Sequence, residues 1–189
     1  IKRIMAFSTI DKSSLYQNQV LYTGNGSTQS ITGVGFQPDL TWIKSRGYAE
    51  DHQLTDAVRG VTKSLQSNLN LAQSTFTDGL TAFGADGFSV GSKSDFNYNT
   101  DTLVSWNWKA NGAGSLNEVG SLDSTVSVNT TAGFSIVKYT GETSAATVGH
   151  GLGVVPKMII LKNISSVNSW FVYHHDLGAT KYMVLDTTA

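Results

Sequence analysis

Cysteine is absent from this chain, and proline occurs twice in its 189 residues. Without cysteine, disulfide staples and thiolate-ligated metal centres are excluded outright. Charge is scarce as well: Asp, Glu, Lys and Arg make up 14% of the residues, and the formal net charge is −1. Binding to phosphate backbones needs clustered Lys and Arg. The densest basic group, Lys44, Arg46, Arg59 and Lys63, reads as a solvated face, so no nucleic-acid partner is expected. No run of about 18 apolar residues occurs, so no membrane insertion is expected. Lys2-Arg3 is not followed by the apolar stretch of about 7 to 15 residues that a secretory signal requires. Met5-Ala6 resembles a translation start, which would make Ile1 to Ile4 an upstream addition.

What the chain does have is a hydrophobic share of 40%, enough for a real core in one large domain or two small ones. Its polar surface is written in Ser, Thr, Asn and Gly, residues that suit strands and tight turns and form helices poorly.

An internal repeat organises the sequence. Residues 33–63 recur without a gap 118 positions later, at 151–181: Gly33, Gly35, Pro38, Lys44, Gly60 and Lys63 reappear as Gly151, Gly153, Pro156, Lys162, Gly178 and Lys181. One residue out of that register, Tyr22-Thr23-Gly24 matches Tyr139-Thr140-Gly141. Such self-similarity marks two copies of one structural unit. The first copy runs on through Phe88 and Val90 to Trp106 and Trp108, whereas Ala189 stands opposite Leu71. The second copy is therefore expected to be unfinished, with the polypeptide continuing or neighbouring chains covering its open side.

Gln19–Tyr22, Ser30–Val34 and Leu40–Lys44 read as strands, and Phe88–Val90 and Val104–Trp108 alternate apolar and polar residues as half-buried strands do. Residues 48–71 are ambiguous, because Leu54, Val58, Val61 and Leu65 fall at helical spacing. The matching second-copy stretch, Trp170–Tyr173 and Tyr182–Leu185, is aromatic and β-branched, so strand, turn at Gly60 and strand is the reading. Lys157–Lys162 is a continuous apolar run between two lysines, the pattern of a strand buried on both faces. The expected fold is all-β: tandem antiparallel β-sandwich modules of lectin-like or jelly-roll-like type. Residues 1–18 form an arm, 19–112 the first module, 113–132 a linker, and 133–189 the second module, a truncated copy.

Several constellations bear on chemistry. Trp106 and Trp108 share a strand face, where they either stack sugar rings or, the favoured reading, pack the core beside Trp42. Tyr48 and Tyr98 sit in loops, as do Asp51, His52 and Asp101 or their close neighbours; these five are the candidate ligand contacts. Asp95–Asp101 spaces oxygen side chains like a calcium loop, but Thr100 and Trp106 stand where that loop needs Gly and Glu, so a hairpin turn is expected. His174-His175-Asp176 invites a metal, yet adjacent strand residues point to opposite faces and the first copy has Asp56-Ala57-Val58. No metal or cofactor is expected. Glu50, Asp51 and Asp56 are the densest acidic cluster, and hydrolysis would need two of them across a cleft. Solvated carboxylates are the favoured reading, so the chain is not expected to be an enzyme.

Tyr22-Thr23-Gly24-Asn25-Gly26-Ser27, Gly35-Phe36-Gln37-Pro38-Asp39, Trp42-Ile43-Lys44, His52–Gly60, Asp86-Gly87-Phe88 and Val104–Lys109 resemble a repeat found in hypothetical and tail-fibre-like structural proteins of marine bacteriophages. Gly151–Lys162 with Trp170–His174 is similar to a second version that follows in tandem. The resemblance implies a virion component at the particle surface, a fibre or spike with a recognition role toward host polysaccharide or an assembly role. It also implies other virion proteins as partners. A homo-oligomer such as a trimer is expected on separate grounds, because an incomplete sandwich exposes unpaired strand edges that must be covered. The alternatives are a capsid decoration or tail scaffold protein without receptor binding and, less favoured, a polysaccharide depolymerase. The resemblance offers no catalytic residues, and its motifs transfer as fold markers.

Overall fold

The computed structural model describes residues 10–187. In chain order the first module comprises β1 (Gln17–Thr23), β2 (Gln29–Thr32), β3 (Leu40–Ser45), β4 (Gln53–Asp56), β5 (Lys63–Gln66), β6 (Ser74–Thr75), β7 (Leu80–Gly84), β8 (Gly87–Val90), α1 (Ser94–Asn97) and β9 (Thr102–Trp108). The second comprises β10 (Ser115–Asn117), β11 (Ser124–Asn129), β12 (Phe134–Tyr139), β13 (Met158–Leu161), β14 (Phe171–His174) and β15 (Met183–Val184). Every paired strand is antiparallel, apart from one isolated parallel bridge between Leu122 and Val148.

Two sheets build the first module: six strands in the order β1-β9-β3-β4-β5-β6, and three in the order β2-β8-β7. Between them lie Ile31, Ile43, Leu80, Phe88, Val90, Phe96 and Leu103. Strand alternation dictates this membership, since Leu103, Ser105 and Asn107 of β9 are buried while Val104, Trp106 and Trp108 are half-buried on the other face. Fully burying side chains such as Leu80 or Phe88 contributes roughly 1.5 to 3 kcal/mol each. Tyr22 meets Phe88 edge-on and donates its hydroxyl to the Phe96 carbonyl at 2.6 Å. Burial, and next the Asp101 charge, push the Tyr22 pKa upward.

The inner face also holds a polar row. Thr41 stands opposite Asn107 on one side and Thr55 on the other, all buried with neighbouring Gln53. Among the described residues, Thr41 Oγ1, Thr55 Oγ1, Gln53 Nε2 and Asn107 Oδ1 have no hydrogen-bond partner.

The duplication is written into the strand pairing. In the first module Leu40, Thr41, Trp42 and Ile43 face Asp56, Thr55, Leu54 and Gln53. Moved by 118 positions, the same register pairs Met158, Ile159, Ile160 and Leu161 with His174, Tyr173, Val172 and Phe171. Gln53 opposite Gln66 and Leu54 opposite Leu65 recur as Phe171 opposite Val184 and Val172 opposite Met183. Gly60 and Gly178 turn the corresponding chains at φ 91° and 82°, left-handed values that favour glycine. Residues 48–71 are thus strand, turn and strand.

Other expectations change. The stretch 113–132, expected to be a linker, contains the whole of β10 and β11, because Leu116, Val126 and Val128 alternate with polar residues and pair with their neighbours. Gln17 and Asn18 belong to β1 rather than to the arm, whose residues 1–9, including the suggested upstream Ile1 to Ile4, lie outside the described residues. β13, expected to be buried on both faces, is exposed along its whole length. It is an edge strand, and the layers that bury β3 have no counterpart over it among the described residues. Trp42 and Trp106 do pack together, with centroids 6.0 Å apart, but on the outer face of the sheet and not in the main core. Trp108 stacks on Phe134 of the second module. Arg59 is not on a solvated face: its guanidinium is buried against Asp56, 2.5 Å away, and donates to the Leu54 carbonyl at 2.9 Å.

Trp170 fastens the second module to the first. It packs with Leu54 and Leu65, and its indole N–H donates to the Gln66 and Leu69 carbonyls at 3.0 and 3.1 Å.

Candidate functional site

At one end of the first sandwich, Tyr48 and Tyr98 stack with centroids 4.0 Å apart and planes inclined by 25°. Tyr48 is 47% exposed. The pair forms one side of an open depression of about 490 Å³ whose rim adds Ser92, Ser94, Asn99 and Thr100. Faces of phenol rings beside hydroxyl and amide groups are the chemistry that takes the C–H faces and hydroxyls of a sugar.

Each ring is positioned by a knot of backbone contacts. Ser45 Oγ accepts the Tyr48 N–H at 3.0 Å and donates to the Asp101 carboxylate, which also accepts the Gly47 N–H at 3.0 Å. Asn97 is fully buried, accepts the Asn25 N–H at 2.9 Å, and donates to the carbonyls of Gly91 and Ser27. That ties α1, and the Tyr98 that ends it, to the Gly24–Ser27 turn. Gly24 is required there, since a Cβ would lie 2.0 Å from the Tyr98 carbonyl oxygen. Thr100 has φ 65°, an outlier for a β-branched residue, and such strain gathers at binding sites.

The five residues singled out from sequence separate in space by role. Tyr48 and Tyr98 stack on each other and line the depression. Asp101 is buried and braces the Tyr48 turn from behind. Asp51 accepts from Asn68 Nδ2 at 2.7 Å and Gln66 Nε2 at 3.1 Å, so its carboxylate holds the far side of the same loop. His52 points to the outer sheet face, where its Nδ1 accepts the Trp42 indole N–H at 3.1 Å. Burial, then Lys44, lower its pKa, with Asp51 opposing. Ser92, Ser94, Asn99 and Thr100 were not singled out in the sequence, although the Asn/Asp-rich turn was. Its oxygens are spent within the protein: Asp95 pairs with Lys93 at 2.7 Å, and Asn97 and Asp101 are the braces just described.

Other motif residues prove to be structural. Asp86 accepts the N–H groups of Gly33 and Gly35 at 3.0 and 2.6 Å, and these two bonds, Gly33 first, hold its carboxyl below the usual range. Asp39 accepts the Ala110 N–H at 2.7 Å, and Asp56 is held by Arg59.

The structure brings together one group that strand alternation was expected to keep apart. His174, His175 and Asp176 place three possible metal-ligand atoms within 4.8 Å of one another. β14 stops at His174 and a 3-10 turn follows, so the alternation that would separate the imidazoles ends there. This is the set among the described residues that could hold a metal ion.

Residues 12–189 match a family described as a domain of unknown function, DUF7483. No curated protein and no solved structure matches the chain.

Proposed function

We propose that this chain, which belongs to the DUF7483 family, is a structural protein of a virus particle. In this reading it is a fibre or spike component that offers the Tyr48–Tyr98 platform to a host surface polysaccharide. The virion setting rests on the resemblance of its repeated motifs to tail-fibre-like phage proteins. The recognition role rests on one observation, the stacked tyrosine pair at the edge of a shallow depression rimmed by Ser, Asn and Thr. Such an open site binds weakly by itself. Copies repeated on a symmetric homo-oligomer gain avidity without a tight pocket.

A glycan array with wild-type protein and the Tyr48→Ala and Tyr98→Ala variants tests the reading. Binding to a defined polysaccharide that both variants lose, with unchanged thermal unfolding, supports it. Absence of wild-type binding to any host surface polysaccharide removes the recognition role.

A second reading, capsid decoration or tail scaffolding with contacts to other virion proteins alone, is favoured by the exposed apolar strand β13. Labelling on the capsid lattice or tail rather than at a fibre tip, in electron micrographs of particles decorated with antibody to this chain, decides for it.

A further inference from the structure

The two copies of the repeat close the same turn by different means. After β4, the Asp56 carboxylate accepts the Arg59 N–H at 2.8 Å and pairs with the buried Arg59 guanidinium, a clip that holds the chain just before Gly60 turns it. In the second module the matching positions are His174 and Leu177, which cannot form that ion pair. The turn glycine is nevertheless kept as Gly178, and the His175 N–H ties the turn to the Lys157 carbonyl at 2.9 Å. His174, His175 and Asp176 stand where the clip was. His174 Nδ1 accepts the Asp176 N–H at 3.4 Å, so its lone pair faces the 3-10 turn. The Asp176 carboxylate lies between the two imidazoles, with one oxygen 3.6 Å from His174 Nδ1 and the other 3.3 Å from His175 Nε2.

We infer that His174, His175 and Asp176 bind a divalent metal ion of the zinc class, and that the ion fastens the end of β14 to its turn as Asp56 and Arg59 do in the first module. Zinc holds nitrogen and oxygen ligands at about 2.0 to 2.2 Å in a tetrahedron, which sets neighbouring ligand atoms about 3.4 Å apart. The two oxygen-to-nitrogen distances bracket that value. All three ligand atoms lie within 4.8 Å of one another, and both imidazoles are partly exposed, so small side-chain rotations close the set. Two imidazoles and one carboxylate favour zinc, copper or nickel over magnesium and calcium, which take oxygen ligands. Water fills the fourth position, as the exposure of Asp176 allows.

The test uses the full chain stripped of metal with a chelator. Calorimetric titration with Zn²⁺ should show one saturable site, which Mg²⁺ at the same concentrations does not fill. Hydrogen exchange should slow at residues 175–181 on adding Zn²⁺ and stay unchanged at residues 56–60. Losing a group behind a metal ligand already costs about ten- to a hundredfold in affinity, so His175→Ala and Asp176→Asn, which each remove a ligand, should weaken Zn²⁺ binding by about that much or more. Both side chains are exposed, so the metal-free variants should unfold at the wild-type midpoint. His150→Ala, which alters a histidine of the same module outside the cluster, should bind Zn²⁺ as the wild type does. The inference is overturned if Zn²⁺ shows no saturable binding, if Mg²⁺ binds equally, or if His175→Ala and Asp176→Asn bind Zn²⁺ like the wild type. Saturation with Zn²⁺ that leaves exchange at residues 175–181 unaltered likewise overturns it, because the ion would then fasten nothing.

Discussion

Gly47 and Asp101 are joined across a separation of 54 residues: the Asp101 carboxylate accepts the Gly47 N–H at 3.0 Å, and a Cβ on Gly47 would stand 2.5 Å from that oxygen. The contact leaves no room for a side chain and fixes the turn that presents Tyr48. Replacing Asp101 by Ala removes the buried carboxylate that accepts from both the Ser45 hydroxyl and the Gly47 N–H. A loss of about 2 to 3 kcal/mol follows, or roughly 5 to 10 °C in Tm for a chain of this size. Chemical and thermal denaturation measure it, and an unchanged Tm would refute the bracing role.

The repeat makes a paired prediction. Gly24→Ala drives a methyl group into the Tyr98 carbonyl, whereas the matching Gly141 has open space around its Cβ position. Gly24→Ala should cost more than about 3 kcal/mol and Gly141→Ala no more than about 0.5 kcal/mol. Parallel urea titrations of the two variants check this, and equal midpoints would contradict it.

Thr100→Asn relieves the left-handed backbone strain, because asparagine tolerates that region and a β-branched residue does not. A gain of about 0.5 to 1 kcal/mol is expected. If Thr100 also contacts the polysaccharide, affinity falls while stability rises, and calorimetry on the same variant reads both.

His52 imposes a pH dependence. At Nδ1 it accepts the Trp42 indole N–H, which requires a neutral imidazole, and burial holds its pKa below 6.5. A base with a lowered folded pKa binds fewer protons folded than unfolded. Its contribution is therefore complete above pH 6.5 and is lost as pH falls through the lowered value. Unfolding midpoints of the wild type should drop across that acidic window, and His52→Asn should flatten the drop. Identical slopes would exclude the mechanism.

Asp86 acts further down the scale. Its folded pKa is depressed by the Gly33 and Gly35 N–H groups, so its stabilisation is present above the ordinary value of 3.8 and disappears as pH falls through the depressed one. Wild type and Asp86→Asn should differ at neutral pH and converge in strong acid, as followed by circular dichroism.

Much of the fold was legible because local and repeated signals agreed. Leu54, Val58, Val61 and Leu65 imitate a helix, yet Leu54 and Leu65 pair across strands while Val61 is exposed in the turn, as the second copy's aromatic sequence indicated. The exposure of β13 was not legible, since an apolar run records which surface asks for cover and not whether a neighbour supplies it. Tyr48 and Tyr98 could be picked out as loop aromatics. Asp51 and Asp101 could not be told from ligand contacts, because the partners that occupy them, Asn68 and Gln66 for one and Ser45 for the other, are set by tertiary packing. The convergence of His174, His175 and Asp176 escaped for a local reason: extended geometry was assumed past the residue where it stops.

Thr41, Thr55, Gln53 and Asn107 suggest what holds the strands in place lengthwise. Sliding β3 by two residues against either neighbour would carry hydroxyl and amide groups into the space occupied by Ile43 and Leu103, and aliphatic side chains into theirs. The sandwich gives up some cohesion at this band and gains alignment, so that its loops arrive at the same end and two tyrosines from distant parts of the chain meet face to face.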